Sequence, residues 1–514
     1  MLSPGTHAPY HEATTTTTNV SLPEASGDQS HHEMQDDVAY LSLSAMAERT
    51  DSQVLSAEGL SYSSMLYAAT EVSGSDLTLP INTNEALSGP LAELRQSRLP
   101  DVDLASTELS AAYRCYVEMI CQTFPYMTAA ELTECHDSMT MRHGNDDGPQ
   151  PLPEHLAIVY LGTATGLLLG MHYTYKEMLA TEFALRAVRL MPKILDHAGN
   201  LSAIRSLIAL VIFSMYTTFG GSTWHLLGLA MTRCISAGLH TIRLSDHRSQ
   251  NNEQRAGSSL LWTLYILDTY VSTSLGRPFS LNDQDIMVSP PTSPPSGVND
   301  TNVEEATLRC LIQHAQMIRS IRQSIKPDDG ILCHYINIRH WAETIPPQIR
   351  IPRDHIVSLC SKAYVQLLQS ERFLHDLDRA SILKQVMGVF DSYLEKVEEQ
   401  LSNPQSGAIA GLEALHIFAI GVILATRPDL QNVRDPQQNA NVQTIISQVQ
   451  IGLTLLSTRY SVVRTYRDIV LELQRININS SSVEKLRSLV AVSELSVPIQ
   501  LQNLILGFAS SIEA

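Results

Sequence analysis

The chain has 514 residues, which at roughly 100–200 residues per domain is room for two or three domains or one large one. Apolar residues make up 44% and charged residues 17%, the latter below the roughly 25% of an ordinary soluble protein, so much of the chain is expected to be buried. With 35 Lys and Arg against 53 Asp and Glu the formal charge is −18, which disfavours general binding of phosphate backbones, because that affinity comes from Lys and Arg displacing counterions.

Residues 1–36 contain no Lys or Arg and five acids, Glu12, Glu24, Asp28, Glu33 and Asp36. With the threonine run 14–18, scattered proline and the pair His31-His32, this is no secretory signal and is predicted to be a disordered acidic tail. Helical signals follow. They cover 109–122, 177–190, 355–375, 412–426, 441–457 and 483–492. Two uncharged stretches, 157–175 and 206–232, raise the question of membrane spans. The first carries Gly162, Gly166, Gly170 and His172, and the second is broken by Gly220-Gly221-Ser222, so buried core helices fit better than a span of about 20 apolar residues.

Trp224, Leu227, Leu229, Met231 and Ile235 build an apolar helix that Gly238 closes, with Leu239 able to pack back on the last turn. Leu260, Leu264, Leu267, Val271 and Leu275 step by 4, 3, 4 and 4, the face of another helix widened by Leu261 and Tyr265. Gly276 offers it a left-handed stop, Pro278 prevents continuation, and Ser280 with Asp283 reads as a capping box for the next turn. A stripe from Val386 to Leu401 ends at Ser402-Asn403-Pro404 and is expected to be a buried intrachain helix. Strand signals are few, and 141–153 and 289–302 read as exposed loops. The expected fold is all-α: a large bundle-like helical body over 37–514, its C-terminal helical part at 303–514, behind the tail 1–36.

Motifs for chemistry are missing. There is no Gly-Lys dipeptide for a phosphate loop, no G-x-S-x-G, and no third acid beside Asp36-Asp37, Asp146-Asp147 or Asp328-Asp329 to make a magnesium cluster. Gly162-Thr163-Ala164-Thr165-Gly166 reads as a close-packing helix face. The seven cysteines (Cys115, Cys121, Cys135, Cys234, Cys310, Cys333, Cys360) include no Cys-x-x-Cys, so they are expected to be reduced thiols of an intracellular protein, and Cys135-His136 with Cys121 and Cys115 matches no common zinc spacing. The basic neighbourhoods 319–326 and 459–467 each hold three basic residues among apolar ones and read as helix faces exposed to water.

One group of motifs is distinctive. Trp262-Thr263-Leu264-Tyr265-Ile266-Leu267-Asp268, then Leu275-Gly276-Arg277-Pro278, then Asp283-Gln284-Asp285-Ile286 and Pro290-Pro291, resembles the signature of the fungal-specific transcription factor domain, the middle homology region of zinc-binuclear-cluster regulators. Gly228-Leu229-Ala230 through Ala237-Gly238-Leu239-His240 resembles that family's Gly-Leu-His segment, and Phe124-Pro125-Tyr126 its Phe-Pro segment. Weaker likenesses, Tyr40-Leu41-Ser42-Leu43 and Gly59-Leu60-Ser61-Tyr62-Ser63, extend the motif-supported region to 37–291. Where the family carries a basic run before its tryptophan, this chain has Gly257-Ser258-Ser259. The family's six-cysteine DNA reader has no counterpart in the 36 residues before Asp37.

The resemblance implies a nuclear regulator of fungal transcription, controlling a biosynthetic gene cluster or metabolic pathway, with no catalytic, metal or cofactor site and no direct contact with nucleic acid or membrane. Partners would be a DNA-binding transcription regulator or a second copy, and a small-molecule inducer. An all-α enzyme of terpene-cyclase type, or a truncated remnant of a DNA-binding regulator, stay open as alternatives. The signature residues Gly238, Leu239, His240, Trp262, Asp268, Gly276, Arg277, Pro278 and Asp285 are expected to be structural. Trp262 would anchor the core, its ring N–H needing a partner, and Asp268 would tie the Gly276 turn down through Arg277.

Overall fold

A computed structural model of the chain describes residues 106–140, 151–170, 174–217, 223–241, 252–291, 303–323, 330–346, 349, 351–369, 379–403, 407–427, 436–475, 481–493 and 496–513. The expected tail, the motifs at 40–43 and 59–63, loop residues 141–150 and 292–302, and residues 370–375 of the expected helix 355–375 lie outside them.

The described residues form sixteen α-helices and no strand. In chain order these are α1 (Thr107–Thr123), α2 (Ala129–Thr140), α3 (Pro153–Leu169), α4 (Thr174–His197), α5 (Asn200–Tyr216), α6 (Thr223–Ser236), α7 (Asn252–Ser274), α8 (Val303–Gln323), α9 (Gly330–Thr344), α10 (Arg353–Gln369), α11 (Arg379–Ser402), α12 (Gly411–Thr426), α13 (Pro436–Leu456), α14 (Val463–Arg475), α15 (Ser481–Val492) and α16 (Ile499–Glu513). None is long and apolar enough to cross a membrane.

The helices apolar on every side lie at the centre. α3, α5 and α12 are buried along nearly their whole length, and the buried side chains form one continuous cluster from Leu109 to Ala509. Burial of α3 depends on small residues. A Cβ at Gly162 would press into the rings of Tyr113 and Tyr116, and one at Gly166 would overlap the backbone of Ala112, so only glycine lets α1 cross this closely. α7 packs on α5 and α6 on one side and on α8 and α12 on the other, which places the signature helix between the two halves of the chain. The stripe on α11 is used within the chain: Val386, Phe390, Tyr393 and Leu394 are buried where α11 meets α10 and α13.

Two expectations need adjustment. The helix expected over 177–190 runs through Pro192 to His197. Proline removes one backbone donor, but Met191 and Ile194 are buried and hold the last turns against the core. The helix whose apolar face runs from Leu260 begins at Asn252, and Gly257 within it seats against Leu239, where a Cβ would come to 3.2 Å.

Candidate functional site

Helices α6 and α7 end alike. Gly238 and Gly276 hold φ of 72° and 66°. The Leu239 N–H donates to Cys234 O and Gly238 to Ile235 O; Arg277 donates to Ser272 O and Gly276 to Thr273 O. Both are Schellman ends, in which a left-handed residue lets two amides satisfy the last carbonyls. They differ in surroundings. A Cβ at Gly238 would meet only Thr241 Oγ1 at 3.7 Å, whereas one at Gly276 would meet Gln500 Oε1 at 2.5 Å and Pro498 Cβ at 2.9 Å. Gly238→Ala should therefore lower stability by about 1 kcal/mol through the backbone alone, and Gly276→Ala by roughly 2 kcal/mol, read as a difference in urea midpoints. Equal losses would show that the crowding at Gly276 relaxes freely.

Beyond the α7 turn lies a buried charge network. The Asp268 carboxylate accepts hydrogen bonds from Ser272 Oγ (3.1 Å), from the backbone N–H of Ser280 (3.0 Å to Oδ2) and from Ser280 Oγ (2.9 Å). Its charge partner is Arg319 of α8, whose Nη2 lies 2.7 Å from Oδ2, with both side chains 0% exposed. Arg319 also donates from Nε to Thr269 Oγ1 (2.7 Å) and from Nη1 to Leu281 O (2.7 Å) and Asp283 Oδ1 (3.0 Å). Its guanidinium lies 3.9 Å from the Tyr265 ring centroid and 4.3 Å from that of Phe279. A planar cation with a fork of donors suits this site as lysine would not.

This corrects three expectations. Asp268 pairs with Arg319, not Arg277; Arg277 lies over the Trp224 ring, 4.7 Å from its centroid. Ser280 does not cap the following turn, because its hydroxyl is held by Asp268 and its expected partner Asp283 by Arg319; Asn282 stands at the cap of the 3-10 turn Asp283–Asp285. The stretch 319–326 is not wholly a wetted face, since Arg319 lies in the core. Arg459 likewise reaches inward, to Glu177 at 2.9 Å and Tyr216 O at 3.1 Å. What the sequence reading missed was a charge in register with an apolar stripe: Leu311, Ala315 and Arg319 share one face of α8.

The remaining signature segments converge on α7. Met287 N–H donates to His240 O (2.8 Å), joining the Asp-Ile segment to the Gly-Leu-His turn. Ser259 Oγ donates to Pro125 O (2.9 Å), so the serine standing in the place of the family's basic run fastens the Phe-Pro segment to α7. Leu239 is buried, and Pro278 and Asp285 are exposed. Trp262 packs edge-on against Tyr265 with ring centroids 5.3 Å apart, and its ring N–H is buried without a protein acceptor.

A second polar group lies across α7. His314 of α8 bridges the Tyr270 hydroxyl (2.9 Å) and Leu359 O of α10 (2.9 Å). A carbonyl can only accept, so Nε2 carries the proton and Nδ1 receives the tyrosine hydroxyl. Burial drives His314 down to about 3, and it is neutral. Beside it, Lys362 Nζ donates to Glu413 Oε1 (2.7 Å), the Tyr393 hydroxyl to Glu413 Oε2 (2.5 Å), and Ser361 Oγ meets His416 Nε2 at 2.9 Å. Burial acts upward on Glu413, but Lys362 and its hydrogen bonds prevail and hold it at about 2; burial presses His416 down to about 3. Every partner here is another side chain or backbone group of a packed helix. The arrangement is cross-bracing between α8, α10, α11 and α12.

No group of three or more His, Cys, Asp or Glu side chains able to hold a metal is gathered among the described residues. Residues 165–325 match the family model of the fungal specific transcription factor domain. The chain carries a fungal specific transcription factor domain. The matched segment runs from the end of α3 past the end of α8, and so contains both Asp268 and Arg319. Among similar curated proteins, the negative regulator of pleiotropic drug resistance STB5 of Candida glabrata is 30% identical over 26% of this chain and 13% of its own length. The activator of stress genes 1 of Saccharomyces cerevisiae is 22% identical over 36% of this chain and 23% of its own length. The depudecin biosynthesis cluster-specific transcription activator DEP6 of Alternaria brassicicola is 25% identical over 43% of this chain and 36% of its own length. The chain thus spans well under half the length of these relatives. They and the fungal specific transcription factor domain are regulators, not enzymes.

Proposed function

We propose that the chain acts as a helical regulatory unit of fungal transcription, working in the nucleus and exerting control through protein partners or a small inducer. The observation that carries this reading is the Asp268–Arg319 network inside the matched segment: it closes the signature turn onto α8 with no reacting group or bound metal needed. The likeness to a cluster-specific activator favours control of a biosynthetic gene cluster. A charge of −18 on these 514 residues disfavours their direct contact with phosphate backbones and favours action through protein partners or an inducer.

The test is to join the full chain to an unrelated DNA-binding module in a fungal cell and to read a reporter with the matching operator. Expression is expected to depart from that given by the module alone, and the Asp268→Ala chain should return it toward that level. Expression identical to the module alone, with the fusion present in the nucleus, would overturn the reading. The purified chain is expected to give no sequence-selective shift of duplex DNA at physiological salt; selective binding by the chain itself would show that it reads promoters directly.

A further inference from the structure

Helix α16 turns one side to the core and leaves the other bare. Leu501, Ile505 and Ala509 are buried. On the opposite side Ile499, Asn503, Leu506 and Ser510, all exposed, step by 4, 3 and 4, the spacing of a seam between two helices. Ile499 is 54% exposed, and Val492, which ends the neighbouring α15, is the barest large apolar side chain among the described residues at 86%. Gly507 lies beside the seam. Glycine weakens a helix interior relative to alanine, and at Gly162 and Gly166 it is needed because another helix crosses there. At Gly507 a Cβ would meet nothing within 4 Å, so no contact inside the chain calls for it. Gly228 of α6 and Gly388 of α11 are equally open, but their helices carry no exposed large apolar side chain. Between Arg487 and Glu513 the only charged residue is Glu494. Interface cores are depleted of charge, and like charges set face to face are costly. A chain of net charge −18 can meet its own copy through such a face without opposing acids. A basic partner would be selected by acids and an anionic lipid surface by Lys and Arg, and this face offers neither.

We propose that this face of α16 pairs with the same face of a second copy of the chain, antiparallel about a two-fold axis between Leu506 and Gly507. Leu506 then enters the gap over the partner's Gly507. The Asn503 amide donates to the hydroxyl of the partner's Ser510, a hydroxyl whose own proton goes to the Leu506 carbonyl of its helix (2.9 Å). Two crossing helices of 15 residues bury roughly 1,000 Å² or less, under the area of lasting complexes, so the pairing is micromolar. Pro498 and Gln500, at the start of α16, crowd the Gly276 turn, so pairing bears on the segment that Asp268 holds. That consequence rests on the regulatory function proposed above; the pairing itself does not.

Sedimentation equilibrium of the full chain between about 1 and about 100 μM is the test. The mass is expected to rise from one chain towards two. Leu506→Glu, which sets acid against acid across the axis, and Gly507→Gln, which fills the gap, should each weaken pairing at least about tenfold. Unchanged circular dichroism and melting temperature report that the variants are folded. Leu506→Lys mixed with Leu506→Glu should restore a mixed dimer, which a folding defect cannot imitate. A mass of one chain throughout, a mass beyond two, or a dimer untouched by both Leu506→Glu and Gly507→Gln overturns the proposal. The mass is read without the fusion reporter, so the pairing and the regulatory function can each fail while the other stands.

Discussion

An Asp268→Ala chain is expected to lose about 3–5 kcal/mol of stability, among the largest single-residue effects in this protein. The loss has little to do with the strength of the pair itself. Removing the carboxylate leaves the Arg319 guanidinium charged at 0% exposure, with Thr269 and backbone oxygen for company and only the half-exposed Asp283 to balance it. The same change also strips Ser280 of its acceptor and frees the segment 277–281 from α7. Arg319→Met should be milder, because Asp268 would keep Ser272 and both Ser280 donors, and the methionine would fill the space between Tyr265 and Phe279. The double variant should be no worse than Asp268→Ala. Urea denaturation of the four proteins at pH 7 decides it. An Asp268→Ala loss under about 1 kcal/mol would mean that the network is dispensable for holding the turn.

Acid should unfold this protein earlier than its carboxylates alone would dictate. His314 and His416 are held at about 3 in the folded chain by burial, against an ordinary value of 6.5. Between those limits the unfolded chain binds a proton at each histidine and the folded chain does not, so stability falls as pH falls. From pH 7 to pH 5 the loss is on the order of 2 kcal/mol for each histidine. Glu413, depressed to about 2 from 4.5, adds to the loss only below about pH 4.5, and above pH 7 none of the three contributes a slope. Urea midpoints at pH 7, 6 and 5 test this. His314→Gln, which offers a donor and an acceptor without titrating, should be weaker at pH 7 yet show a shallower fall, by about one proton's worth. A midpoint constant from pH 7 to pH 5 would contradict the assignment of both histidines as buried and neutral.

Local grammar was legible in the sequence and long-range partnership was not. The apolar steps from Leu260 to Leu275 and the glycines at 238 and 276 announce helix faces and stops, because spacing and left-handed backbone are local properties. Asp268 is recognisable as an acid on an apolar face, but the cation nearest to it in sequence is Arg277, nine residues on, whereas its partner Arg319 stands 51 residues away. An arginine in a helix otherwise read as wetted gave no cue without knowledge of which face turns inward. Ser280 illustrates the same limit: a serine three residues before an acid suits a cap equally well whether or not a stronger acceptor waits nearby. Helices α2, α8, α9, α14 and α16 carry no such local signal of their own bounds, and the cross-bracing of Lys362, Glu413 and His314 exists only once α8, α10 and α12 are stacked.

The contact between the Gly276 turn and Pro498–Gln500 sets an order of events during synthesis. The two sites are 222 residues apart, so at 5–20 residues per second the turn leaves the ribosome on the order of 10–40 s before the segment that covers it. α12 is complete about 150 residues after the turn, so for roughly 8–30 s the apolar flank of α7 that later meets it is uncovered. Slow codons between residues 276 and 500 would lengthen the time for which this turn and flank stay uncovered.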